Sequence, residues 1–213
     1  MQVSQKWVAF FSQTGSEIIS LIKKGYTPDL IVTDNKESYD LRKEFFKYSN
    51  IEFWYRPHPA RKNYKVRYYD EILHQDDVVT LHGWLNIVPA ETCKTYTIYN
   101  GHPGHIVDYP ELKGKDPQVR AFTDIDKYKV IGSVIHRVTE EVDGGEIVVI
   151  AEQPVKSSPL KINSIEVMFN VCTALSLISW LSFFRNSDII LETELNYNGT
   201  FRNDRENCIP IYC

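Results

Sequence analysis

Short apolar runs alternate with amphipathic segments over the first half of the chain, and this alternation limits the possible folds more than any other feature. Four runs are typical of buried strands: Trp7–Phe11, Leu30–Thr33, residues 51–54 and Val78–Leu81. Three segments between them are predicted to be helical: residues 17–24, 37–48 and 67–74. Because strands that alternate with helices form parallel sheets through right-handed crossovers, the sequence predicts an α/β fold with a mostly parallel, twisted sheet and helices on both faces.

The second half of the chain has longer elements. A short strand is predicted over residues 97–99, and longer strands are predicted over residues 128–138 and 146–151. A helix is predicted to follow over residues 164–184. An apolar run at residues 189–191 precedes an Asn-rich end, and we expect the tail after residue 186 to be irregular. The chain contains no internal repeat or low-complexity linker, so a single domain is predicted over residues 1–213.

The predicted C-terminal helix contains an apolar stretch that is close to membrane-spanning length. Its polar side chains recur at every third position: Asn170, Thr173, Ser176, Ser179 and Ser182. This stripe is typical of a helix that packs on a sheet and keeps small hydroxyl groups on its wetter side. We therefore expect no membrane partner.

The composition is that of a soluble globular protein, with 43% apolar and 24% charged residues. A net charge of -4 gives no electrostatic reason to expect a duplex nucleic acid partner. The N-terminal residues lack the apolar core of a secretory signal, so the expected compartment is the cytoplasm. None of the four cysteines has metal-ligand spacing, and reduced thiols are expected, although Cys208 and Cys213 lie at a spacing that allows a small disulfide loop.

A turn with one glycine follows the first predicted strand, at residues 12–16. Free backbone N–H groups at the start of the next helix would favour an anion there. The alternative is an ordinary turn in which Thr14 or Ser16 caps the helix. The glycine patterns of dinucleotide and nucleoside triphosphate sites are absent.

Two further segments carry candidate catalytic groups. Asn100 and His102 lie two residues apart where a predicted strand ends, so strand alternation places both side chains on one side. A carboxamide and an imidazole can together stabilise a developing oxyanion while the imidazole moves protons. Asp143 precedes two glycines in a turn between predicted strands, and it can hold His102 as an imidazolium if it points inward. Each segment alone is also compatible with a solvated turn.

Taken together and in order, five segments resemble the 10-formyltetrahydrofolate-dependent formyltransferases, most closely the glycinamide ribonucleotide formyltransferases. They are QTGSE at residues 13–17, LHGWLNIVP at 81–89, YNGHPG at 99–104, YP at 109–110 and GSVIHRVTEEVDGG at 132–145. The specific part is the combination of Asn-x-His with Val-Asp-Gly-Gly. The resemblance implies a formyltransferase-type, Rossmann-like fold and an enzyme that uses 10-formyltetrahydrofolate as its co-substrate.

The resemblance also implies roles for individual residues. Asn100 would donate a hydrogen bond to the formyl oxygen, His102 would stabilise the oxyanion and pass a proton, and Asp143 would orient and charge His102. The folate would be bound by Trp84, Leu85, Val88, Thr139, Glu140, Glu141 and Val142. An acceptor phosphate would be bound by Thr14, Gly15, Ser16 and Glu17. No metal is implied.

Four departures from the glycinamide ribonucleotide enzymes leave the expected donor chemistry in place but leave the acceptor open. Glu17 replaces a small polar amide, and a carboxylate repels a phosphate unless it points away. Gly101 replaces an apolar residue, Asn86 replaces a basic one, and residues 111–118 lack that subfamily's His-bearing loop. The acceptor that the resemblance implies is a small, phosphorylated primary amine, either similar to glycinamide ribonucleotide or an amino sugar nucleotide.

This activity would belong to one-carbon metabolism and nucleotide biosynthesis. Two alternatives remain open. One is a formyltetrahydrofolate deformylase, in which water replaces the amine, and the other is a non-catalytic folate- or nucleotide-binding module. The sequence makes no prediction of the oligomeric state.

Overall fold

The computed structural model describes residues 5–41, 45, 47–48, 50–156, 161–185, 200–203 and 207–210. The chain divides into two compact units. The first unit comprises Met1–Asn100 with Arg137–Gly145, and the second comprises Gly101–His136 with Glu146–Cys213. The single domain over residues 1–213 stays a prediction.

The first unit is built on a parallel sheet. Its strands are β1 (Trp7–Phe11), β2 (Leu30–Thr33), β3 (Glu52–Tyr55), β4 (Val78–Leu81) and the beginning of β5 (Ile98–His102). They lie in the order β3-β2-β1-β4-β5, and each neighbouring pair is parallel. Its helices are α1 (Ser16–Lys23), α2 (Lys36–Leu41), α3 (Lys62–Asp70) and α4 (Ala90–Thr95). The predicted α/β fold, with parallel strands and intervening helices, is confirmed.

The core of this unit follows from its apolar runs. Every residue of β1 and β2 is buried, as expected for strands of a parallel sheet that is covered on both faces. Helix α1 buries the apolar side chains that its 3.6-residue period places on one face: Ile18, Ile19, Leu21 and Ile22. Gly25 has a φ of 93° directly after the end of α1, where a left-handed residue stops a helix as the sequence predicts.

The second unit contains antiparallel strands. They are the main part of β6 (Val130–Arg137), then β7 (Ile147–Pro154), β8 (Thr200–Asn203) and β9 (Asn207–Pro210), in that order. Helices α5 (Pro117–Thr123) and α6 (Ile165–Arg185) accompany two short 3-10 helices, Pro110–Leu112 and Ile125–Lys127. Strands β8 and β9 correct the expectation of an irregular tail, because both have antiparallel partners. Residues 189–191 lie outside the described residues.

Helix α6 is the one helix among the described residues that is long and apolar enough to cross a membrane by length and composition. However, 61% of its most apolar part is buried inside the protein. Met168, Leu175 and Trp180 are each fully buried. The predicted packing of this helix inside the protein therefore accounts for its apolar sequence.

The observed helices differ from the predictions in two respects: α3 has other bounds, and two short helices are additional. Helix α3 ends at Asp70, before the predicted end at residue 74, because the chain turns: the His74 N–H donates to Asp77 Oδ2 at 2.8 Å. Helices α4 and α5 were not predicted. They have six and seven residues, which is too short for a helical period to emerge from the sequence.

Candidate active site

Asn100 lies in the middle of β5. In the parallel register of β4 and β5 it is beside Leu81, the last residue of β4. The predicted strand ended at residue 99, whereas β5 continues to His102. The half-buried Asn100 therefore lies at the carboxyl edge of the parallel strands, where open α/β sheets bind ligands.

Gly101 follows Asn100, and a large side chain explains why this residue is glycine. A Cβ atom at Gly101 would lie 2.7 Å from Nε1 of Trp180 and 3.1 Å from two carbon atoms of its indole ring. Trp180 is fully buried in α6. The indole thus occupies the space that the apolar residue expected after Asn100 would need.

His102 is buried, with 5% of its surface exposed. Its Nε2 lies 2.9 Å from the carbonyl oxygen of Leu112, and its own carbonyl oxygen accepts hydrogen bonds from Ser133 Oγ and Gly104 N–H. A Cβ atom at Gly104 would lie 2.9 Å from Nε2 of His102. The His-Pro-Gly sequence is therefore explained locally, because only glycine at residue 104 leaves room for the imidazole.

Asp143 lies in a tight turn with a φ of 51°, in the left-handed region that Asp tolerates better than most residues. The Gly144 N–H donates to the carbonyl oxygen of Glu141. A Cβ atom at Gly145 would lie 1.8 Å from the carbonyl oxygen of Arg137, so this position accepts no side chain. At the start of the same segment, the Val138 N–H donates to the Ile98 carbonyl oxygen at 2.8 Å, which attaches the segment to β5. Asn100 and Asp143 thus belong to the same unit.

The segment after β4 contains the three residues that were predicted to line a folate pocket with apolar side chains. Trp84 and Val88 are buried, and Trp84 packs edge-on against Phe10 at 5.3 Å. Leu85 is 68% exposed. Ile87, which was not among the predicted pocket residues, is 61% exposed. The side chains of Leu85 and Ile87 are therefore the apolar groups of this segment that a ligand can reach, whereas Trp84 and Val88 belong to the hydrophobic core.

Residues 139–142 were predicted to form the opposite wall of that pocket. Val142 is 51% exposed, Glu140 and Glu141 are exposed, and Thr139 is half-buried. Burial raises the pKa of the Cys93 thiol, and the Glu140 carboxylate contributes to the increase, which places residue 140 near α4. Thr139 Oγ1 donates to the carbonyl oxygen of Glu141 at 3.2 Å.

The turn before α1 was predicted to bind an acceptor phosphate. Gly15 is the N-cap residue of α1 and has a φ of 63°, so neither Thr14 nor Ser16 is the N-cap. The hydroxyl groups of Thr14 and Ser16 are hydrogen-bonded to each other at 2.9 Å, and both residues are exposed. A Cβ atom at Gly15 would be 3.1 Å from the ring of Phe11. The turn is therefore fixed by the packing of Gly15, while its hydroxyl groups face outward.

Glu17 has a partner that the sequence did not predict. Its Oε2 lies 2.6 Å from Nδ1 of His82, whose side chain is 1% exposed. Because a carboxylate only accepts, Nδ1 carries the proton. On its other side, Nε2 of His82 lies 2.9 Å from Thr80 Oγ1, which accepts a hydrogen bond from Trp7 Nε1 at 2.7 Å. A buried chain of hydrogen bonds thus holds the Glu17 carboxylate.

Asn86, where a basic residue was expected, donates from Nδ2 to Oδ2 of Asp34 at 2.7 Å. Nearby, His58 packs edge-on against Trp84 at 5.9 Å. Burial lowers the pKa of His58, the positive charge of Lys65 lowers it further, and the Asp34 carboxylate opposes both effects. A partly buried histidine with a lowered pKa thus lies beside the segment after β4.

Comparison with known proteins identifies relatives of this chain. Residues 6–166 match the family model described as formyl transferase. Over 99 residues the chain is 37% identical to the phosphoribosylglycinamide formyltransferase of Dictyostelium discoideum. This match covers 42% of the chain and 45% of the relative, so it spans about half the length of that curated protein.

Solved structures with the same fold include a transformylase and a deformylase. Glycinamide ribonucleotide transformylase 1 from Symbiobacterium toebii is 20% identical with a TM-score of 0.69, over 90% of this chain and 92% of that chain. The formyltetrahydrofolate deformylase from Pseudomonas syringae pv. tomato str. DC3000 is 18% identical with a TM-score of 0.66, over 89% of this chain and 64% of that chain. At these identities the likeness establishes the fold.

Proposed function

Because the chain belongs to the formyl transferase family, we propose that it transfers a formyl group from 10-formyltetrahydrofolate to the primary amine of a small phosphorylated acceptor. The acceptor is similar to glycinamide ribonucleotide or is an amino sugar nucleotide. The observation that carries this proposal is the family match over residues 6–166, which includes Asn100, His102 and Asp143. We expect the reaction to take place in the cytoplasm, as a step of one-carbon metabolism.

The three side chains have the chemistry that such a transfer needs. The amine nitrogen attacks the formyl carbon, the bond from that carbon to N10 of the folate breaks, N10 takes up a proton, and the amine nitrogen loses one. Negative charge develops on the formyl oxygen, where the Asn100 amide and the His102 imidazolium donate hydrogen bonds. The Asp143 carboxylate favours the charged form of His102. Each such donor typically contributes about 3–4 kcal/mol to transition-state stabilisation.

The exposed apolar side chains of the first unit are suited to bind a folate. Leu85, Ile87 and Val142 offer apolar side chains to a flat ring, because each is more than half exposed. Val138 packs against the core cluster that contains Val88, so residues 139–142 begin beside the segment after β4. The backbone of both segments would read the edge of the pterin ring, and the bound folate would supply the formyl group.

The acceptor phosphate is assigned to Thr14, Gly15 and Ser16 at the start of α1. Backbone N–H groups and the helix dipole favour an anion at this position. Glu17 would oppose it, but its carboxylate is held by His82 at 2.6 Å. Pairing with an imidazole reduces the repulsion that the carboxylate would exert on a phosphate.

A formyltetrahydrofolate deformylase is the second candidate, since an enzyme of that activity shares this fold. Both candidates are tested by incubating the protein and 10-formyltetrahydrofolate with a panel of phosphorylated amines while tetrahydrofolate release is followed spectroscopically. We expect release that depends on one amine. Release without any amine supports the deformylase, and no release, together with folate binding in calorimetry, supports a non-catalytic binding module.

A further inference from the structure

The 3-10 helix Pro110–Leu112 ends beside the guanidinium group of Arg120, which projects from α5. Nη1 of Arg120 donates to the carbonyl oxygen of Glu111 at 2.5 Å. Its Nη2 donates to the carbonyl oxygens of Leu112 and Lys113, at 3.1 and 2.8 Å. One side chain thus binds three consecutive carbonyl groups.

These carbonyl groups need such a partner. The last carbonyl groups of a helix accept no hydrogen bond from within the helix, and their partial negative charges favour a cation. The guanidinium offers several N–H donors in one rigid plane, whereas a lysine offers a single flexible ammonium group. Arg120 is therefore suited to fix the direction of all three carbonyl groups at once.

The middle carbonyl group is the one that contacts His102. Nε2 of His102 lies 2.9 Å from the Leu112 oxygen, which also accepts from Arg120. A carbonyl oxygen has two lone pairs and no proton, so Nε2 must carry the hydrogen of this bond in both the neutral and the charged imidazole. The proton that His102 gains and loses is therefore on Nδ1.

Packing around the imidazole supports this arrangement. A Cβ atom at Gly104 would lie 2.9 Å from Nε2 of His102 and 3.0 Å from Cβ of Pro117, the first residue of α5. The start of α5 therefore packs against the residues that follow His102. Arg120, one turn further along α5, belongs to the same packed group.

We infer that Arg120 is a positioning residue: by holding the Leu112 carbonyl group, it fixes His102 as the Nε2–H tautomer and assigns proton transfer to Nδ1. The inference rests on the proposed function only in taking His102 as catalytic. Neither the family match nor the sequence motifs assign a role to Arg120.

The test combines imidazole 15N NMR spectra with kinetics. In 15N-His-labelled wild type, the His102 resonances, assigned by their loss in His102→Gln, should show a protonated Nε2 and an unprotonated Nδ1 in the neutral ring. Arg120→Met should yield a mixture of tautomers. Its kcat should fall roughly tenfold to hundredfold, by analogy with the hydrogen-bond partners that orient metal-ligating histidines, with KM for the folate nearly unchanged.

Lys127→Met is the matched control. Lys127 pairs with the Glu111 carboxylate at 2.5 Å, so this variant removes a cation that contacts the 3-10 helix Pro110–Leu112 without changing the hydrogen bonds to its carbonyl groups. It should keep the wild-type tautomer and kcat. Arg120→Lys keeps the charge and should not restore either property.

Three results would overturn the inference: a single Nε2–H tautomer in Arg120→Met, a kcat within twofold of wild type in that variant, or full recovery in Arg120→Lys. If Arg120→Met does not fold, the spectrum and kcat of Arg120→Lys decide. A His102→Gln variant with wild-type turnover would instead contradict the proposed function, while the tautomer spectra would still test Arg120.

Discussion

Gly101→Ala is the substitution whose consequence can be worked out most directly from the structure. The added Cβ atom would lie 2.7 Å from Trp180 Nε1, whereas ordinary contact begins near 3.4 Å. The indole cannot retreat easily, because Trp180 is fully buried and its ring lies 5.6 Å from the ring of Phe183 and 6.0 Å from that of Phe184. The strand or the indole must therefore move by several tenths of an ångström.

The expected destabilisation is that of an overpacked core, about 1–3 kcal/mol. For a chain of this size, each kcal/mol lowers the melting temperature by about 2–4 °C. We expect a loss of turnover larger than the destabilisation alone explains, because Gly101 lies between Asn100 and His102. A displacement of a catalytic group by an ångström typically costs on the order of a hundredfold in rate.

The assay is thermal unfolding and turnover of Gly101→Ala, Trp180→Phe and the double variant. Trp180→Phe opens space in front of residue 101, so the double variant should be more stable than the sum of the two single effects predicts. The coupling energy between neighbouring residues is typically about 0.5–3 kcal/mol. Additive effects, or a Gly101→Ala variant with wild-type melting temperature and turnover, would refute the steric argument.

Three further predictions concern the first unit and the proposed chemistry. Glu17→Asn should lower KM for a phosphorylated acceptor in steady-state kinetics. Glu37→Gln, in the first turn of α2, is the control and should leave KM unchanged. An unchanged or higher KM in Glu17→Asn would indicate a hydroxyl or cationic group on the acceptor. Asn100→Ala and Asp143→Asn should each lower turnover about a hundredfold while calorimetric folate binding survives, and the double variant should be scarcely worse than the poorer single one. Because burial lowers the pKa of His58 below its ordinary value of 6.5, the folded state binds fewer protons than the unfolded chain, and the free energy of unfolding should fall as the pH drops below that value. In denaturant titrations, the free energy of unfolding should fall less between pH 7.5 and pH 5.5 for His58→Asn than for the wild type. Equal falls in the two proteins would show that His58 is not the cause.

Much of the fold could be predicted because its strands are short, apolar and separated by amphipathic segments. Strands β1, β2 and β4 lie where the apolar runs predict them. Helix α4 was missed because six residues carry no helical period. Strands β8 and β9 were missed because their four-residue sequences, TFRN and NCIP, have no clear strand pattern and pair only in the folded chain, β8 with β7 and β9 with β8.

The sequence predicts candidate site residues where the chemistry is encoded in neighbouring residues, and the roles of these residues stay predictions. Asn100 and His102 share one strand, and Asp143 lies in a turn whose glycines are required by close backbone contacts. The partner of Glu17 could not be predicted, because His82 is 65 residues away and meets Glu17 only in the folded chain. Arg120 was missed for a similar reason, since its partners are backbone carbonyl groups, which no side-chain motif reveals.

The central claim is that the formyl group passes to an amine, and isotope labelling tests it most directly. The protein is incubated with 10-formyltetrahydrofolate carrying a 13C-labelled formyl carbon and with the amine selected by the acceptor screen, and the destination of the label is read by NMR. The proposal predicts that the label appears in a formamide of the amine, and that Asp143→Asn slows its appearance about a hundredfold. Label that appears in formate at the same rate with and without the amine would contradict the claim.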